Sequence, residues 1–168
     1  MGSVDDEVDG IVAAWRRERP DLDPAPMQVL SRVSRLADVL EERRAAAFVE
    51  HGLQAHEFDV LAALRRRGEP FEMTAGELCI ATHVTSGTMT SRLDRLAGRK
   101  FVIRRPDDAD GRLVRVRLTD AGREHVDAAM AALLASEHEL VAQLSEAKRE
   151  RLAAALRELL AAAATDER

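Results

Sequence analysis

Apolar residues recur at helical spacing along most of this chain and alternate in only one region, a contrast that predicts most of the architecture. Val8, Ile11, Val12 and Trp15 predict a first helix from about Val4 to Arg19, ended by Pro20. Pro20 to Pro26 reads as a stiff turn. Met27, Leu30, Val33, Ala37, Leu40 and Ala47 mark a long amphipathic helix over 27–49, closed by His51 and Gly52. A further helix starts near Gln54 and carries Phe58, Val60, Leu61 and Leu64. Thr74-x-x-Glu77 is then a capping box, opening a short helix with Leu78, Ile80 and Ala81 inward that stops around Thr82 and His83. Thr85 to Thr88 supply the next start signal, and Met89, Leu93 and Leu96 line one face of a helix from about Ser86 to Ala97. Two short helices joined by a tight turn make a helix-turn-helix.

The alternating region follows at once. Phe101 to Arg105 and Leu113 to Leu118 read as strands around an Asp110-Gly111 turn, so a basic hairpin directly succeeds the second helix. Such a hairpin is a wing, and Arg112 near its tip is placed to enter a narrow minor groove. Thr119 caps a helix from Asp120 to about Leu144, with Val126, Met130, Leu133, Leu134, Leu140 and Val141 on one stripe; Ser145 caps a last helix holding Leu152, Leu156, Leu159 and Leu160. The expected fold is mostly α with a small β-wing: N-terminal helices over 1–50, a winged helix-turn-helix over 54–118 and C-terminal helices over 119–168. The terminal helices hold more apolar surface than one winged helix covers, which predicts a two-fold homodimer. Its two recognition helices would then face half-sites roughly 34–36 Å apart on a pseudo-palindrome.

The formal charge is −5, which argues against a surface uniformly coated for nucleic acid, yet its distribution changes that picture. Thr85 to Asp120 contains nine Lys/Arg against five acids, a net of +4, leaving −9 for the rest. The positive field is confined to the proposed DNA-reading lobe. At its leading end Thr85, Ser86, Thr88, Thr90 and Ser91 are small and hydroxylated, with Arg92 and Arg95 one turn on. Small donors and acceptors suit base edges and phosphates, and Arg suits guanine or phosphate. The DNA contacts are therefore expected from Thr85, Ser86, Thr88, Thr90, Ser91, Arg95 and Arg112, the alternative being a solvated helix face. Asp110 is expected to fix the turn and the Arg112 side chain, since an acid facing phosphate would repel it.

Asp110-x-Arg112-x-x-x-Val116-x-Leu118-Thr119, with Thr119-x-x-Gly122 after it, resembles the pattern of the MarR family of dimeric winged-helix transcription regulators. With the flanking helices the resemblance covers nearly the whole chain. It implies a DNA-binding regulator, most often a repressor, that responds to a small molecule. Within the family, the urate-responsive PecS/HucR-like subgroup has a tryptophan in an extra N-terminal helix, an aspartate before the helix-turn-helix and two arginines beyond it. Trp15, Asp59, Arg92 and Arg104 match those positions. A planar anion wants an aromatic face and a guanidinium, as Trp15 and Arg104 offer, while a carboxylate such as Asp59 in an apolar helix wants a cation, for which Arg92 is the candidate. The implied relay is an anion that repels Asp59, which in turn drags Arg92 and the recognition helix out of register. Citrate-like or aconitate-like acids suit the same arginines. Each residue also has a plainer reading: Trp15 in packing, Asp59 in solvent, Arg92 and Arg104 on phosphate.

Cys79, between Leu78 and Ile80, is expected in the core, and one cysteine allows no internal disulfide. The five histidines show no metal-ligand spacing, and no phosphate loop, nucleophile elbow or paired carboxylates appear, so neither metal, cofactor nor enzymatic activity is expected. No apolar run approaches the roughly 20 residues that span a bilayer, and the acidic N-terminus lacks a signal-peptide pattern, so a cytoplasmic protein without membrane contact is expected. The rival from another class is a helical protein-interaction module whose lobe has lost DNA binding.

Overall fold

The computed structural model describes residues 5–165; Val4, where the first helix was expected to begin, lies outside them. Two compact units divide the chain, residues 1–46 and 47–168. In the first, α1 (Glu7–Glu18) starts at Asp6, whose carboxylate accepts the N–H groups of Val8 and Asp9 at 2.9 and 3.2 Å while Asp9 returns a bond to the Asp6 N–H. This acid pair carries α1 onto α2 (Met27–Glu50), because the guanidinium of Arg32 reaches both Asp6 and Asp9 at 2.8 Å. Val8 and Val12 are buried, but Trp15 is 45% exposed, as are Val29, Leu30, Val33 and Leu36 of α2 to similar degrees.

The second unit takes in the end of α2, then α3 (Ala55–Arg67), β1 (Glu72–Thr74), α4 (Ala75–Thr82), α5 (Ser86–Gly98), β2 (Val102–Pro106), β3 (Val114–Leu118), α6 (Asp120–Val141) and α7 (Glu146–Thr165). The sheet is antiparallel in the order β1-β3-β2, with Val116 opposite both Met73 and Arg104. Three-residue β1 is too short to show alternation in sequence, so only the β2–β3 hairpin is legible there. Phe48 stacks on Phe58 with centroids 4.0 Å apart, and Leu61, Leu64, Leu78, Met89, Leu93, Leu96, Val116 and Val126 complete one core.

The helix-turn-helix forms as expected, with Thr74 and Glu77 exchanging capping bonds at 3.2 and 2.7 Å. Its first helix is oriented differently from the expectation. Leu78 is buried, but Ile80 is 77% exposed and Ala81 is exposed too. Eight-residue α4 meets the core along the stripe Ala75, Leu78 and Cys79, and Ile80 falls off it by its 100° step. Cys79 is half-buried at the margin of the core rather than inside it. Helix α6 stops at Val141, three residues short of the expected end.

Two local devices fix the wing. At its base the first turn of α6 lies against the chain entering β2: Thr119 donates its N–H to the Phe101 carbonyl at 3.0 Å and its hydroxyl to the Lys100 carbonyl at 2.8 Å, and that hydroxyl accepts the Gly122 N–H at 3.0 Å. A Cβ on Gly122 would stand 2.2 Å from the Phe101 oxygen. At its tip the buried Asp107 carboxylate accepts the N–H groups of Ala109 (2.8 Å) and Asp110 (3.0 Å) and pairs with Arg115 of β3. Asp110 accepts the backbone N–H of Arg112 at 3.0 Å, so it shapes the turn and does not hold the Arg112 side chain as expected.

Gly122→Ala is expected to lower stability by about 2 kcal/mol, through overpacking against a backbone oxygen that cannot retreat, and a thermal melt reads this directly. The backbone N–H groups of Asp110 and Ala109, with Arg115 beside them, hold the Asp107 carboxyl down to about 2. Its folded value is below its unfolded one of about 3.9. Its contribution to wing order is therefore complete above that unfolded value and is lost as pH falls through about 2. Amide exchange at Ala109 and Asp110 is the readout, with Asp107→Ala showing the unprotected rates already at neutral pH.

Candidate nucleic-acid interface

Helix α5 shows the division of labour that a groove-entering helix requires. Met89, Leu93 and Leu96 are buried, while Thr85, Ser86, Thr88, Thr90, Ser91 and Arg95 are exposed. The turn before it is made by His83, whose φ of 53° gives the left-handed cap that ends α4 and redirects the chain. Thr85 is the N-cap, its hydroxyl 3.4 Å from the Thr88 N–H and 3.1 Å from the Thr88 hydroxyl. Thr90 and Ser91 donate their hydroxyls to the carbonyls of Ser86 and Gly87 at 3.0 and 3.3 Å. Outward, these two side chains present lone pairs.

The basic residues of the lobe fall into two groups. Arg99 pairs with Glu57, Arg104 with Asp94, Arg105 with Glu72 and Asp108, and Arg115 with Glu72 and Asp107. Arg92, Arg95, Lys100, Arg112 and Arg117 are in no ion pair among the described residues. The first group holds structure together. The second carries charge that no carboxylate among the described residues neutralises, and Arg112 stands exposed beyond the strands of the wing. Counting charge in sequence registers Asp94 and Asp107 only as negative; their spatial partners show that each cancels an arginine.

The four residues matched to an effector site are placed as follows. Trp15, in the N-terminal unit, borders a shallow apolar hollow of about 250 Å³ with Leu22, Pro24, Pro26 and Met27. Asp59 of α3 is half-buried and is not free. Arg92 is half-buried on α5, and no ion pair among the described residues joins it to Asp59. Arg104 of β2 is drawn to the recognition helix by a different acid, Asp94. A fifth residue, His56, has no signal in sequence beyond its type. From the first turn of α3 it closes a groove of about 340 Å³ with Thr88, Ser91, Arg92 and Arg95.

Comparison with known proteins agrees with this geometry. The MarR family model matches residues 51–113, from the start of the lobe to the tip of the wing. Over 150 residues the chain is 37% identical to the HTH-type transcriptional regulator PecS of Dickeya dadantii, covering 89% of this chain and 90% of that one. It is 33% identical to the HTH-type transcriptional repressor NicR of Pseudomonas putida, over 64% of this chain and 68% of that one. Among solved structures it resembles the S. aureus MepR–DNA complex, with a TM-score of 0.69 at 23% identity, covering 80% of this chain and 98% of that one. Winged-helix architecture, PecS-like sequence and the family match converge: the chain belongs to the MarR family of transcription regulators, on its PecS-like side.

Proposed function

We propose that this protein acts as a homodimeric repressor that holds a pseudo-palindromic operator through α5 and the wing and releases it when a small anion, urate or a similar purine, binds. The observation that carries the DNA reading is the second group of basic residues. Among the described residues Arg92 and Arg95, on the hydroxylated helix, and Arg112, on the wing, have no acidic partner, in a chain whose total charge is −5. Charge left uncompensated beside a helix of groove-reading shape is what a phosphate backbone neutralises. In this reading Thr85, Ser86, Thr88, Thr90, Ser91, Arg95 and Arg112 face DNA, with Thr85 also capping its helix.

Dimer formation is supported by the apolar surface left on the terminal helices. Leu30 and Val33 on α2, Met130 and Leu134 on α6, and Leu152 and Leu160 on α7 are 37–71% exposed, which a second copy would cover. The effector reading assigns Trp15, Asp59, Arg92 and Arg104 to the ligand. Its coupling to DNA has a concrete route in the Arg104–Asp94 pair. An anion that takes the Arg104 guanidinium competes with a carboxylate mounted on the recognition helix, so ligand and DNA-competent geometry draw on one charge. A citrate-like or aconitate-like acid fits the same guanidinium and is the second reading.

Titration with urate is expected to quench Trp15 fluorescence saturably, and Arg104→Ala to abolish the effect; a response to citrate or trans-aconitate alone would transfer the assignment to tricarboxylates. Operator affinity should fall by roughly 10³–10⁵ between about 50 and 200 mM salt. Arg112→Ala should weaken the DNA complex, whereas a helix-docking module would ignore both changes. Sedimentation showing a monomer at micromolar concentration would end the dimeric scheme.

A further inference from the structure

The groove closed by His56 runs along the second helix of the helix-turn-helix, with only His56 coming from outside that motif, and its lining is one-sided in chemistry. Thr88, Ser91, Arg92 and Arg95 occupy positions i, i+3, i+4 and i+7 of α5 and so form one continuous stripe along its flank. His56 faces that stripe from the first turn of α3, with its Nε2 3.4 Å from Nη1 of Arg95. No carboxylate lines the groove. The acids nearest in sequence are committed elsewhere: Asp94, beside Arg95, pairs with Arg104, Glu57 is buried against Arg99, and Asp59, one turn further along α3, is not free. Arg92 is half-buried, yet neither Arg92 nor Arg95 has an ion pair among the described residues.

Two guanidiniums converge there with no anion among them and form a site that lacks only its counter-charge, while His56, whose Nε2 can only accept from Arg95, keeps Nδ1 to donate and Ser91 spends its proton on the Gly87 carbonyl. The N-terminal end of the 13-residue α3 adds its own positive potential beside His56. We infer that this groove is an oxyanion site which seats one backbone phosphate of the bound DNA, with His56 as a phosphate contact contributed from outside the helix-turn-helix. A phosphate is favoured over a free anion because the groove opens along the flank of the helix that enters the major groove, where the bordering strand passes. The inference rests on the DNA-binding reading above. A phosphate held there fixes how deeply α5 sits, and it carries no sequence preference of its own.

The test is fluorescence anisotropy on a labelled random-sequence duplex and on operator DNA across a salt series, with the full-length chain. His56→Gln and Arg95→Gln should each weaken binding about tenfold at low salt, by the same factor on both duplexes. Arg95→Gln should also reduce the slope of log affinity against log salt by about one. The double variant should lose little more than either single one, because both residues serve one phosphate. Unchanged thermal melts show that the variants fold, and Arg157→Gln on α7 controls for loss of a positive charge as such. If His56→Gln keeps wild-type affinity and Arg95→Gln keeps the wild-type slope, the inference is overturned. It is overturned equally if the variants bind DNA normally but lose release by urate, which would make the groove a free-anion site. A wild-type protein that binds neither duplex at low salt refutes the DNA-binding reading itself, a result distinct from either.

Discussion

The ion pair between the buried carboxylate of Glu57 and the exposed guanidinium of Arg99 is the contact on which the placement of the DNA-reading elements depends. Glu57 is 1% exposed, and its Oε2 lies 2.7 Å from Nη1 of Arg99 and 3.0 Å from the Gln54 N–H it caps. The other arm of Arg99 donates to the Gly52 carbonyl at 2.6 Å, and the guanidinium lies 4.4 Å above the Phe101 ring. One side chain thereby joins the α2–α3 turn, the start of α3, the end of α5 and the entry to β2. A carboxylate this deep is costly without a cation, and Arg99 supplies it from the solvent-exposed side. Arg99 is also the residue at which α5 ends, so the same contact sets where the recognition helix stops and where the wing begins.

Beyond that anchor, the lobe cancels its own charge wherever shape matters. Glu72 of β1 meets both Arg105 and Arg115, tying the short first strand to the hairpin it borders. Asp107 bends the tip, and Asp94 binds the wing strand to the recognition helix through Arg104. The acids scattered through a basic segment are thus the means by which a two-stranded ribbon, marginal by itself, is held at a fixed angle to a helix. What remains positive is what the fold does not consume.

Periodicity made the large elements legible because each long helix and the hairpin repeat their apolar positions several times over. Thr74 and Glu77, Thr85 and Thr119 marked helix starts through side chains that act on neighbouring backbone, so sequence distance equalled spatial distance. Legibility failed where a position is decided by what lies across space. Ile80 has the residue type of a core position, but the short α4 offers the core only one stripe, and Leu78 occupies it. The pairs Glu57–Arg99, Asp94–Arg104 and Asp107–Arg115 span 42, 10 and 8 residues of sequence, and no local pattern announces them. Of the candidate effector residues, Arg104 shows the difficulty best: its type and position suggest an anion partner, and only the fold reveals that the protein already supplies one.

The hydroxyls of Thr90 and Ser91 have a further consequence. Each spends its single proton on a carbonyl one turn back in its own helix, so what it turns towards solvent is an acceptor. Adenine N6 and cytosine N4 offer hydrogens in the major groove, whereas guanine O6 and thymine O4 do not. In the proposed DNA-bound pose this part of the helix would complement amino-bearing base edges and would have to give up an internal bond before it could donate to anything else, so the backbone carbonyls of Ser86 and Gly87 would share in the choice of base.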